Sequence, residues 1–549
     1  MQAKLDLLVA LQQILAELGL TWPEKALVEE PKEAAHGDLS SNVALLLGKQ
    51  AKKAPKELAL ELCQKVLESV PFVAEASCAG PGFCNFTLAP SYWQGVLREI
   101  AEKGESYGQS ELGAGQKVLV EFVSANPTGP LHVGHGRGAA VGDSLARLLK
   151  LVGYSVKTEY YVNDAGRQMK LLGLSVWLWV KKLSGKDVEW PEEYYKGDYI
   201  RVLAKEMLDK DPNLASKSED EGREECYRYA MQSILAGIKS DLAEFRVVQD
   251  NFFSEKSLVD AKAVERAFAA LDCSHLTYEQ DQAYWFATKN LGDDRDRVLR
   301  KSDGSLTYFA SDIAYHHDKY ARGFDWLIDV WGADHHGYIP RMRAAITAMG
   351  REQSSFDVVL IQLVNLIKDG KPVSMSTRAG TFETLQDVVR EVGVDASRFM
   401  FLSRKSDSPL DFDLDLVRQR NLENPVYYVQ YAHARIRALE RRASEQGLKV
   451  TFSPQVAARL TTFDDLTLLR KVAQVPELLQ AAAKNLGVHH VSRYLSELAG
   501  LVHSYYVKYP VLGAEDEELG AARLLLLSSV GQVLRNLLWV LGVEAPEEM

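Results

Sequence analysis

The sequence of 549 residues predicts an α/β protein, with a doubly wound, Rossmann-type central domain between an α+β domain and an all-helical domain. Three observations predict this fold class. The middle of the chain alternates buried strands with helices, and polar residues follow the ends of the strands. The beginning of the chain mixes amphipathic helices with short strands. The end of the chain shows only the helical periodicity of apolar residues.

Changes in pattern divide the chain into segments. The α+β domain covers residues 1–112, and the central domain covers 113–370, with a charged, helical insertion at about 177–290. A connecting region, 371–405, leads to the helical domain, 406–549. A chain of this length normally folds as several domains.

The composition disfavours several classes of protein. A net charge of −11 argues against a protein that coats nucleic acid non-specifically, although a local basic face can still bind RNA. Five cysteines without a CxxC spacing indicate free thiols in a reducing compartment. No apolar run reaches the ~18–20 residues of a membrane span, and the amphipathic start is unlike a signal peptide. We therefore expect a cytoplasmic protein without a membrane partner.

Periodicity and turn signals predict the individual elements. In the first domain, helices are expected near the start, after Asn42 and after Pro55, with short strands at 72–78 and 83–88. Strands of the central domain are expected at 117–123, 156–162, 298–300, 306–309, 325–330 and 356–366, with helices at 139–152 and 310–320. Helices are expected to fill 416–443 and 463–541.

A tight turn rich in glycine and proline joins the strand at 117–123 to the helix at 139–152. A helix N-terminus offers unpaired N–H groups and a partial positive charge, which favour an anion. His132 and His135 are spaced so that both rings can face one ligand, and Gly134 lets that ligand approach the backbone. Phosphate binding, metal ligation and a structural role at the helix end remain open. A zinc site would need further ligands, which no neighbouring motif supplies.

The residues from Glu121 to His135 (EFVSANPTGPLHVGH) resemble the signature of class I aminoacyl-tRNA synthetases, and most closely that of the bacterial arginyl-tRNA synthetase family. The segments 36–38, 80–83 and 424–437 are similar to the outer domains of that family. The resemblance implies a class I catalytic domain, an N-terminal domain that contacts the D-loop of the tRNA, and a C-terminal α-helical anticodon-binding domain.

The resemblance also implies a reaction, the ATP-dependent ligation of L-arginine to tRNA(Arg). The arginine carboxylate would attack the α-phosphate of ATP, giving arginyl-adenylate and pyrophosphate, and the arginyl group would then pass to the terminal ribose of the tRNA. Further implications are Mg²⁺ on the nucleotide, no tightly bound metal or organic cofactor, a monomer, and arginine activation that requires bound tRNA.

Selection of arginine requires acceptors that match its planar fork of donors. Glu121 is buried by pattern, and Tyr308 and Asp312 are four residues apart, so they can share a face. From the residues alone, a structural glutamate and a helix-capping aspartate remain equally open. The resemblance implies that Glu121, Tyr308 and Asp312 hold the guanidinium and that Asn126 holds the α-amino end. Its full arginine-binding set is Glu121, Ser124, Asn126, His132, Tyr308 and Asp312.

For ATP, the resemblance implies binding by His132, Gly134, His135, Gly332, Asp334, His335, Met375 and Ser376. The segment 332–336 follows a strand, where a carboxylate commonly accepts ribose hydroxyls. Residues 374–378 read Ser-Met-Ser-Thr-Arg, whereas class I enzymes have lysines here that stabilise phosphate charge. We expect Arg378, or else Lys371 or Lys368, to supply this charge, unless the loop is a plain surface turn. The catalytic set implied is His132, His135 and Arg378.

Contacts with tRNA are expected in both outer domains. The resemblance assigns Phe83 and Asn85 to the D-loop contact. In the helical domain, Tyr428, Tyr431 and Arg435 lie within one helix, and aromatic and arginine side chains suit single-stranded RNA. Core tyrosines of a helical bundle are the alternative for this group.

Two other functions remain open at this stage. A class I ligase for another amino acid is disfavoured, because a neutral substrate would leave the carboxylates of Glu121 and Asp312 unpaired. A synthetase-like RNA-binding protein without catalysis is favoured only by the missing loop lysines, and the intact pair His132 and His135 argues against it.

Overall fold

The computed structural model describes residues 2–31, 33, 36–373, 383–448, 451–514 and 516–549. Its first domain is α+β, as predicted. The elements are α1 (Gln2–Glu17), β1 (Val28–Glu29), β2 (Leu39–Ser41), α2 (Val43–Ala51), α3 (Pro55–Ser69), β3 (Val73–Ala79), β4 (Phe83–Leu88) and α4 (Pro90–Lys103). The strands pair antiparallel in the order β1-β2-β4-β3, and α3 packs against β3 and β4.

The central domain is built on a parallel sheet. Its first elements are β5 (Lys117–Glu121), α5 (Val133–Leu151), β6 (Ser155–Val162), α6 (Arg167–Leu183), α7 (Asp198–Lys210), α8 (Glu219–Glu244), β7 (Asn251–Ser254), α9 (Glu255–Asp260) and α10 (Ala263–Asp272). These are followed by β8 (Thr277–Gln280), β9 (Ala283–Phe286), β10 (Arg297–Arg300), α11 (Tyr308–Ala321), β11 (Trp326–Gly332), α12 (Ile339–Ala348) and β12 (Phe356–Ile361).

The order of strands in this sheet is β12-β11-β5-β6-β7, with parallel pairing throughout the described part. From β5 the chain proceeds outward through β6 to β7, and it later returns to the other side of β5 with β11 and β12. The direction of winding therefore reverses between β5 and β11. In doubly wound sheets the crevice at such a reversal is the usual place for a ligand.

Three expectations about the strands are wrong. Residues 306–309 are not a strand, because the hydroxyl of Thr307 accepts the N–H of Ala310 and caps α11. The strand β7 lies inside the expected insertion but forms an edge of the central sheet. The expected strand 356–366 is divided, since its second half belongs to another sheet.

That second sheet connects the central and helical domains. It contains β13 (Val364–Lys368), β14 (Lys371–Pro372) and β15 (Leu410–Asp413) in the order β14-β13-β15. The helices of this region are α13 (Leu385–Val392), α14 (Val394–Phe401) and α15 (Leu414–Val417).

The C-terminal domain is a bundle of helices, as predicted. Its helices are α16 (Pro425–Glu445), α17 (Pro454–Ala457), α18 (Phe463–Ala473), α19 (Val475–Lys484), α20 (His489–Lys508) and α21 (Glu517–Leu541). Within the described ranges, α21 alone is long and apolar enough to cross a membrane, but 78% of its apolar window is buried. It packs against α16 and α20, so its apolar surface is covered by the protein itself.

Two buried arginines attach α5 to the rest of the molecule. Arg137 donates to the carbonyls of Gln362, Lys405 and Ser408. Arg398, on α14, donates to the Asp143 carboxylate at 2.5 Å and to the Leu541 carbonyl at 2.8 Å. Because these donors are charged and buried, the bonds of Arg137 hold the beginning of α5 and the bond from Arg398 to Asp143 holds its middle.

Candidate active site

Two histidines form the cap of α5. His132 is the N-cap residue, and its Nδ1 accepts the N–H of Gly134 at 3.1 Å. In return, the Nδ1 of His135 accepts the N–H of His132 at 3.3 Å. The rings stack with 3.6 Å between centroids and 21° between planes. The structure therefore turns both rings the same way, in agreement with their spacing.

These bonds determine where the ring hydrogens lie. Since each Nδ1 accepts a backbone N–H, each neutral ring carries its hydrogen on Nε2. Burial lowers the pKa of His132, and burial followed by the neighbouring His132 lowers the pKa of His135 to about 3. Both rings are therefore neutral Nε2–H donors near pH 7. A Cβ on Gly134 would lie 3.0 Å from Cε1 of His132, so glycine keeps that ring in place.

The neutral state of His135 predicts a pH dependence of stability. Below the ordinary histidine pKa of 6.5, the unfolded chain binds a proton that the folded chain excludes until about pH 3. The free energy of unfolding should therefore fall as the pH is lowered from 6.5, by at most about 1.4 kcal/mol per unit from this group. Between pH 7 and 5, we expect the free energy of unfolding to fall more in wild type than in His135→Gln, measured by chemical denaturation. Parallel curves for the two proteins would contradict this prediction.

Strand β5 leaves the sheet through a strained turn. Val123 has φ of 72° and Ser124 has φ of 39°, a left-handed conformation that is unusual for a β-branched residue. This turn brings the Ser124 hydroxyl back to the strand ends, where it accepts the N–H of Tyr161 at 3.1 Å. The same hydroxyl donates to Oε1 of Glu121 at 2.8 Å. Ser124 thereby supports Glu121 from the side of the turn.

A cavity of about 260 Å³ lies where the winding of the sheet reverses, at the C-terminal ends of β5 and β11. Its lining includes Glu121, Ser124, Asn126, Asp312, Asp329 and Tyr338. The structure therefore brings together Glu121, Ser124, Asn126 and Asp312 from the predicted arginine-binding set. Carboxylates predominate among its charged groups, which suits a cationic ligand.

The floor of the cavity is an ion network that sequence reasoning missed. Glu121 and Asp329 are register partners on adjacent strands. The ammonium of Lys319 donates to Oε2 of Glu121 at 2.5 Å and to Oδ1 of Asp329 at 2.8 Å. Burial disfavours charge on Lys319, but the two carboxylates outweigh it and raise the pKa of the lysine. The Nε2 of His316 lies 2.8 Å from the other oxygen of Asp329.

One wall of the cavity presents Asp312. Its Oδ2 accepts the hydroxyl of Tyr338, which lies in a 3₁₀ turn after β11. Burial raises the pKa of Asp312, and the Tyr338 bond opposes that rise. Burial, and then the negative charges of Asp312 and Asp164, also raise the pKa of Glu255. A cation near Asp312 would relieve this crowding of negative charge.

The structure does not place Tyr308 beside Asp312 in the described lining of the cavity, and its role at the guanidinium stays a prediction. Tyr308 is the first residue of α11, is 75% exposed, and is not among the described residues that line the cavity. Asp312 lies one helical turn further on and faces inward. The phenol that bonds to Asp312 belongs to Tyr338 instead. Spacing placed both residues on one helix face but could not show where the cavity ends along the helix.

The segment after β11 borders the same cavity. Gly332 and His335 belong to its lining, whereas the side chain of Asp334 is 82% exposed and lies 3.6 Å from His335 Nε2. A Cβ on Gly332 would lie 2.4 Å from Oδ1 of Asp334, so a larger residue would displace that carboxylate. The nucleotide roles of these residues stay predictions.

The predicted signature loop lies outside the described residues. Met375, Ser376 and Arg378 fall within 374–382, so their roles stay predictions. Of the other candidates for the positive charge, Lys368 lies 3.4 Å from the Glu391 carboxylate, and Lys371 is exposed.

The described chain after this loop is attached to the histidine turn. Thr384 forms an isolated antiparallel bridge with His132, and the N–H of Leu385 donates to the carbonyl of Leu131 at 2.8 Å. Helix α13, which Thr384 caps, therefore begins beside the N-terminus of α5.

In the helical domain, the predicted RNA-contacting residues do lie together. Tyr431 stacks on His503 with 5.7 Å between centroids, and Tyr428 lies 4.6 Å from the same ring. The guanidinium of Arg435 lies 3.9 Å from the centre of the Tyr506 ring and 5.4 Å from that of Tyr431. All five side chains are partly exposed. His503 could not have been selected from the sequence, because it comes from a different helix, α20.

The two residues predicted in the first domain differ in exposure. Phe83 is 38% exposed at the start of β4. Asn85 is 5% exposed and is paired on both sides, with Ser40 and Ser77 of the neighbouring strands. Phe83 is therefore the more accessible of the two, and the tRNA contacts of both Phe83 and Asn85 stay predictions.

The alternative of a metal site at the histidines gains no support. In the part of the chain that the structure describes, no three His, Cys, Asp or Glu side chains are grouped so as to hold a metal ion. His132 and His135 use their Nδ1 atoms for the helix cap, which leaves this pair without the third and fourth ligands of a zinc site among its described neighbours.

Family models match nearly the whole chain. Residues 6–88 match the arginyl-tRNA synthetase N-terminal domain, and residues 97–409 match the catalytic domain of class I (R) tRNA synthetases. Residues 429–549 match the DALR anticodon-binding domain. The middle match alone covers more than half of the chain.

Full-length relatives agree with these matches. An arginine–tRNA ligase from Desulfovibrio desulfuricans is 63% identical over 551 residues, which is 100% of both chains. One from Nitratidesulfovibrio vulgaris is 57% identical over the same span. Among solved structures, the arginyl-tRNA synthetase of Thermus thermophilus covers 100% of both chains with a TM-score of 0.76 and 24% identity, a likeness that shows the fold alone.

Proposed function

The chain belongs to the arginyl-tRNA synthetase family, and from this premise we propose that its acidic cavity binds the arginine substrate and its paired histidines bind the ATP phosphates. As a member of that family it is an arginine–tRNA ligase, which consumes ATP to form arginyl-tRNA for translation. A class I ligase for another amino acid and a non-catalytic RNA-binding protein are both disfavoured by the 63% identical relative.

The single observation that carries the arginine site is the set of carboxylates around one cavity at the reversal of the sheet. Asp312 presents its oxygen acceptors from helix α11, and Glu121 presents its acceptors from strand β5. A guanidinium fits such acceptors because its donors lie in one plane and its charge is permanent. Each charge-assisted bond is worth roughly 1.5–3 kcal/mol. Lysine would lose the fork geometry of these bonds and citrulline would lose their charge, so both should bind more weakly than arginine.

We assign the main-chain end of arginine to Asn126, and Ser124 to the support of Glu121. Asn126 lines the cavity between β5 and the cap of α5. This placement would direct the substrate carboxylate towards the histidines and the guanidinium towards Asp312. Attack of that carboxylate on the α-phosphate then needs little covalent help from side chains, because positioning and charge stabilisation lower the barrier.

For ATP, the Nε2–H groups of His132 and His135 are the proposed donors to the phosphates. Their direction is set by the reciprocal cap, and the N-terminus of α5 adds partial positive charge beside them. Gly332, Asp334 and His335 are assigned to the nucleoside. Met375, Ser376 and Arg378 keep their proposed roles at the nucleotide, with Arg378 as the source of positive charge.

The Mg²⁺ that we propose arrives as part of the nucleotide substrate. The described residues offer no cluster that would hold it independently, whereas Mg²⁺ commonly binds phosphate oxygens together with several waters. A monomer in the cytoplasm is likewise a proposal, supported by the free cysteines and by the burial of the apolar helix α21 within the bundle.

We assign tRNA contacts to Phe83 and Asn85 in the first domain and to the aromatic group of α16 and α20. Tyr428, Tyr431 and Arg435 combine stacking surfaces with a cation, which suits unpaired bases of an anticodon loop. Their partial exposure and mutual contacts support this assignment over that of ordinary core tyrosines.

ATP–pyrophosphate exchange with arginine, run with and without total bacterial tRNA, tests this proposal. We expect exchange only when tRNA is present, because the family resemblance implies that bound tRNA is required for activation. Exchange without tRNA would contradict that requirement. Absence of exchange in both reactions, from folded protein, would contradict the assignment of the cavity and the histidines to arginine and ATP.

A further inference from the structure

A fully buried lysine lies beneath the floor of the arginine cavity. We propose that Lys319 is a positioning residue for arginine selection, which keeps Glu121 ionised and holds its carboxylate in one orientation. Lys319 is 0% exposed, and it is not among the described residues that line the cavity. The proposal rests on the proposed role of Glu121 in binding the guanidinium.

The register of the sheet places three acids in a row. Asp329 on β11, Glu121 on β5 and Glu159 on β6 are consecutive partners across the parallel pairings. Neighbouring residues in register point to the same face of a sheet, so these carboxylates would repel one another if they were unpaired.

Helix α11 covers this acidic row with matching cations. Lys319 and Arg322 are three residues apart and therefore lie on one face of the helix end. Arg322 donates to both oxygens of Glu159, at 2.6 and 2.7 Å, and Lys319 bridges Glu121 and Asp329. Glu159 also accepts from Tyr315 and from Asn251, so both its oxygens are fully used within the protein.

Glu121 differs from Glu159 because part of its acceptor capacity is not used within the protein. It accepts from Lys319 on Oε2 and from Ser124 on Oε1, one protein donor for each oxygen. An ionised carboxylate has about four lone-pair positions, so acceptor capacity remains on the side that faces the cavity. The two donors fix the plane of the carboxylate and leave that capacity for a guanidinium.

Lys319 acts on the ligand only through this carboxylate. Its nitrogen lies 4.3 Å from the centre of the Tyr315 ring, in addition to its bonds with the two acids. The ammonium is therefore enclosed by protein groups. Burial raises the pKa of Glu121, and the charge of Lys319 opposes that rise. Without Lys319, Glu121 and Asp329 would be adjacent buried carboxylates. Glu121 would then take up a proton, because Asp329 keeps its contact with His316. A protonated Glu121 would present an O–H where the guanidinium requires an acceptor.

The test compares Lys319→Met with wild type in tRNA-dependent exchange by the full-length enzyme. We expect the KM for arginine to rise about 10- to 100-fold, since a charge-assisted acceptor is lost, while the KM for ATP changes less than about twofold. Lys157→Met is the matched control, because Lys157 also pairs with an aspartate, Asp250 at 3.1 Å, but its side chain is 61% exposed and is not among the described residues that line the cavity. It should leave both constants unchanged.

A double-mutant cycle with Glu121→Gln separates positioning from general damage. If Lys319 acts through Glu121, Lys319→Met should add little to the effect of Glu121→Gln on the arginine KM. Should Lys319→Met fail to fold, Lys319→Gln takes its place, because its amide keeps a polar group in the same space without the positive charge. That variant should also raise the arginine KM, since Glu121 again lacks its neighbouring cation.

Four results are distinguishable. A folded Lys319 variant with the wild-type arginine KM would overturn the proposal, and so would an equal increase in the Glu121 and Glu121→Gln backgrounds. An unchanged arginine KM in Glu121→Gln itself would refute the role of Glu121 on which the proposal rests. Wild type without arginine-dependent exchange would refute the proposed function as a whole.

Discussion

Asp312→Asn is expected to raise the KM for arginine about 100-fold in tRNA-dependent exchange, with the KM for ATP changed less than about twofold, because loss of two charge-assisted bonds weakens binding by some 3 kcal/mol or more. The amide has the shape of the carboxylate and can still accept the hydroxyl of Tyr338. It lacks the negative charge, however, and one side of it offers N–H groups to a ligand that itself only donates.

Asp318→Asn is the control for this variant. Asp318 lies on the same helix and pairs with Arg322 at 2.9 Å, but it is not among the described residues that line the cavity. Both Michaelis constants should stay within about twofold of wild type, since a partly exposed ion pair of this kind contributes about 1 kcal/mol or less to stability. A folded Asp312→Asn enzyme with a normal arginine KM would refute the assignment of Asp312 to the guanidinium.

Replacement of either histidine, His132 or His135, should reduce kcat rather than substrate binding. For His135→Asn, we expect kcat for exchange to fall about 10²- to 10³-fold, the usual cost of removing one donor that stabilises charge in the transition state. Asparagine places an oxygen close to the position of Nδ1, so the bond to the N–H of His132 can persist while the Nε2–H group is lost.

His135→Gln supplies the opposite comparison. The amide nitrogen of glutamine reaches about as far as the histidine Nε2, so it can replace the donor to phosphate. We expect this variant to recover part of the kcat that His135→Asn loses, and the same order for His132→Gln against His132→Asn. If asparagine instead retained more activity than glutamine at both positions, the histidines would serve the helix cap and not the phosphates.

Much of the fold could be predicted because its signals are local. The apolar run of β5, the glycine-rich turn and the periodicity of α5 lie within about 35 consecutive residues. The spacing of His132 and His135 alone indicated that their rings could meet. The end of the chain showed uninterrupted helical periodicity, and helices fill most of it.

The floor of the site could not be predicted in the same way. The meeting of Glu121, Asp329 and Lys319 depends on the register of two strands and on how α11 packs over them, which are tertiary features. A charged residue inside the apolar run of β11 was the available signal for Asp329. For the phenol at Asp312, the sequence offered Tyr308 one turn away, whereas the structure uses Tyr338, which is brought in by the turn after β11.

The buried Arg398 has a consequence for how this protein can change during evolution. Its guanidinium donates to Asp143 on α5, to the carbonyl of Leu541 at the end of α21 and to the carbonyl of Phe245. A Cβ at Gly542 would lie 2.4 Å from this guanidinium. Loss of the Asp143 carboxylate would leave a buried charge without its partner, and displacement of either carbonyl would leave a buried N–H group unpaired. The C-terminal helical bundle therefore cannot be exchanged on its own by recombination. A replacement bundle would have to keep the end of α21 and Gly542, because Arg398 on α14 contacts both.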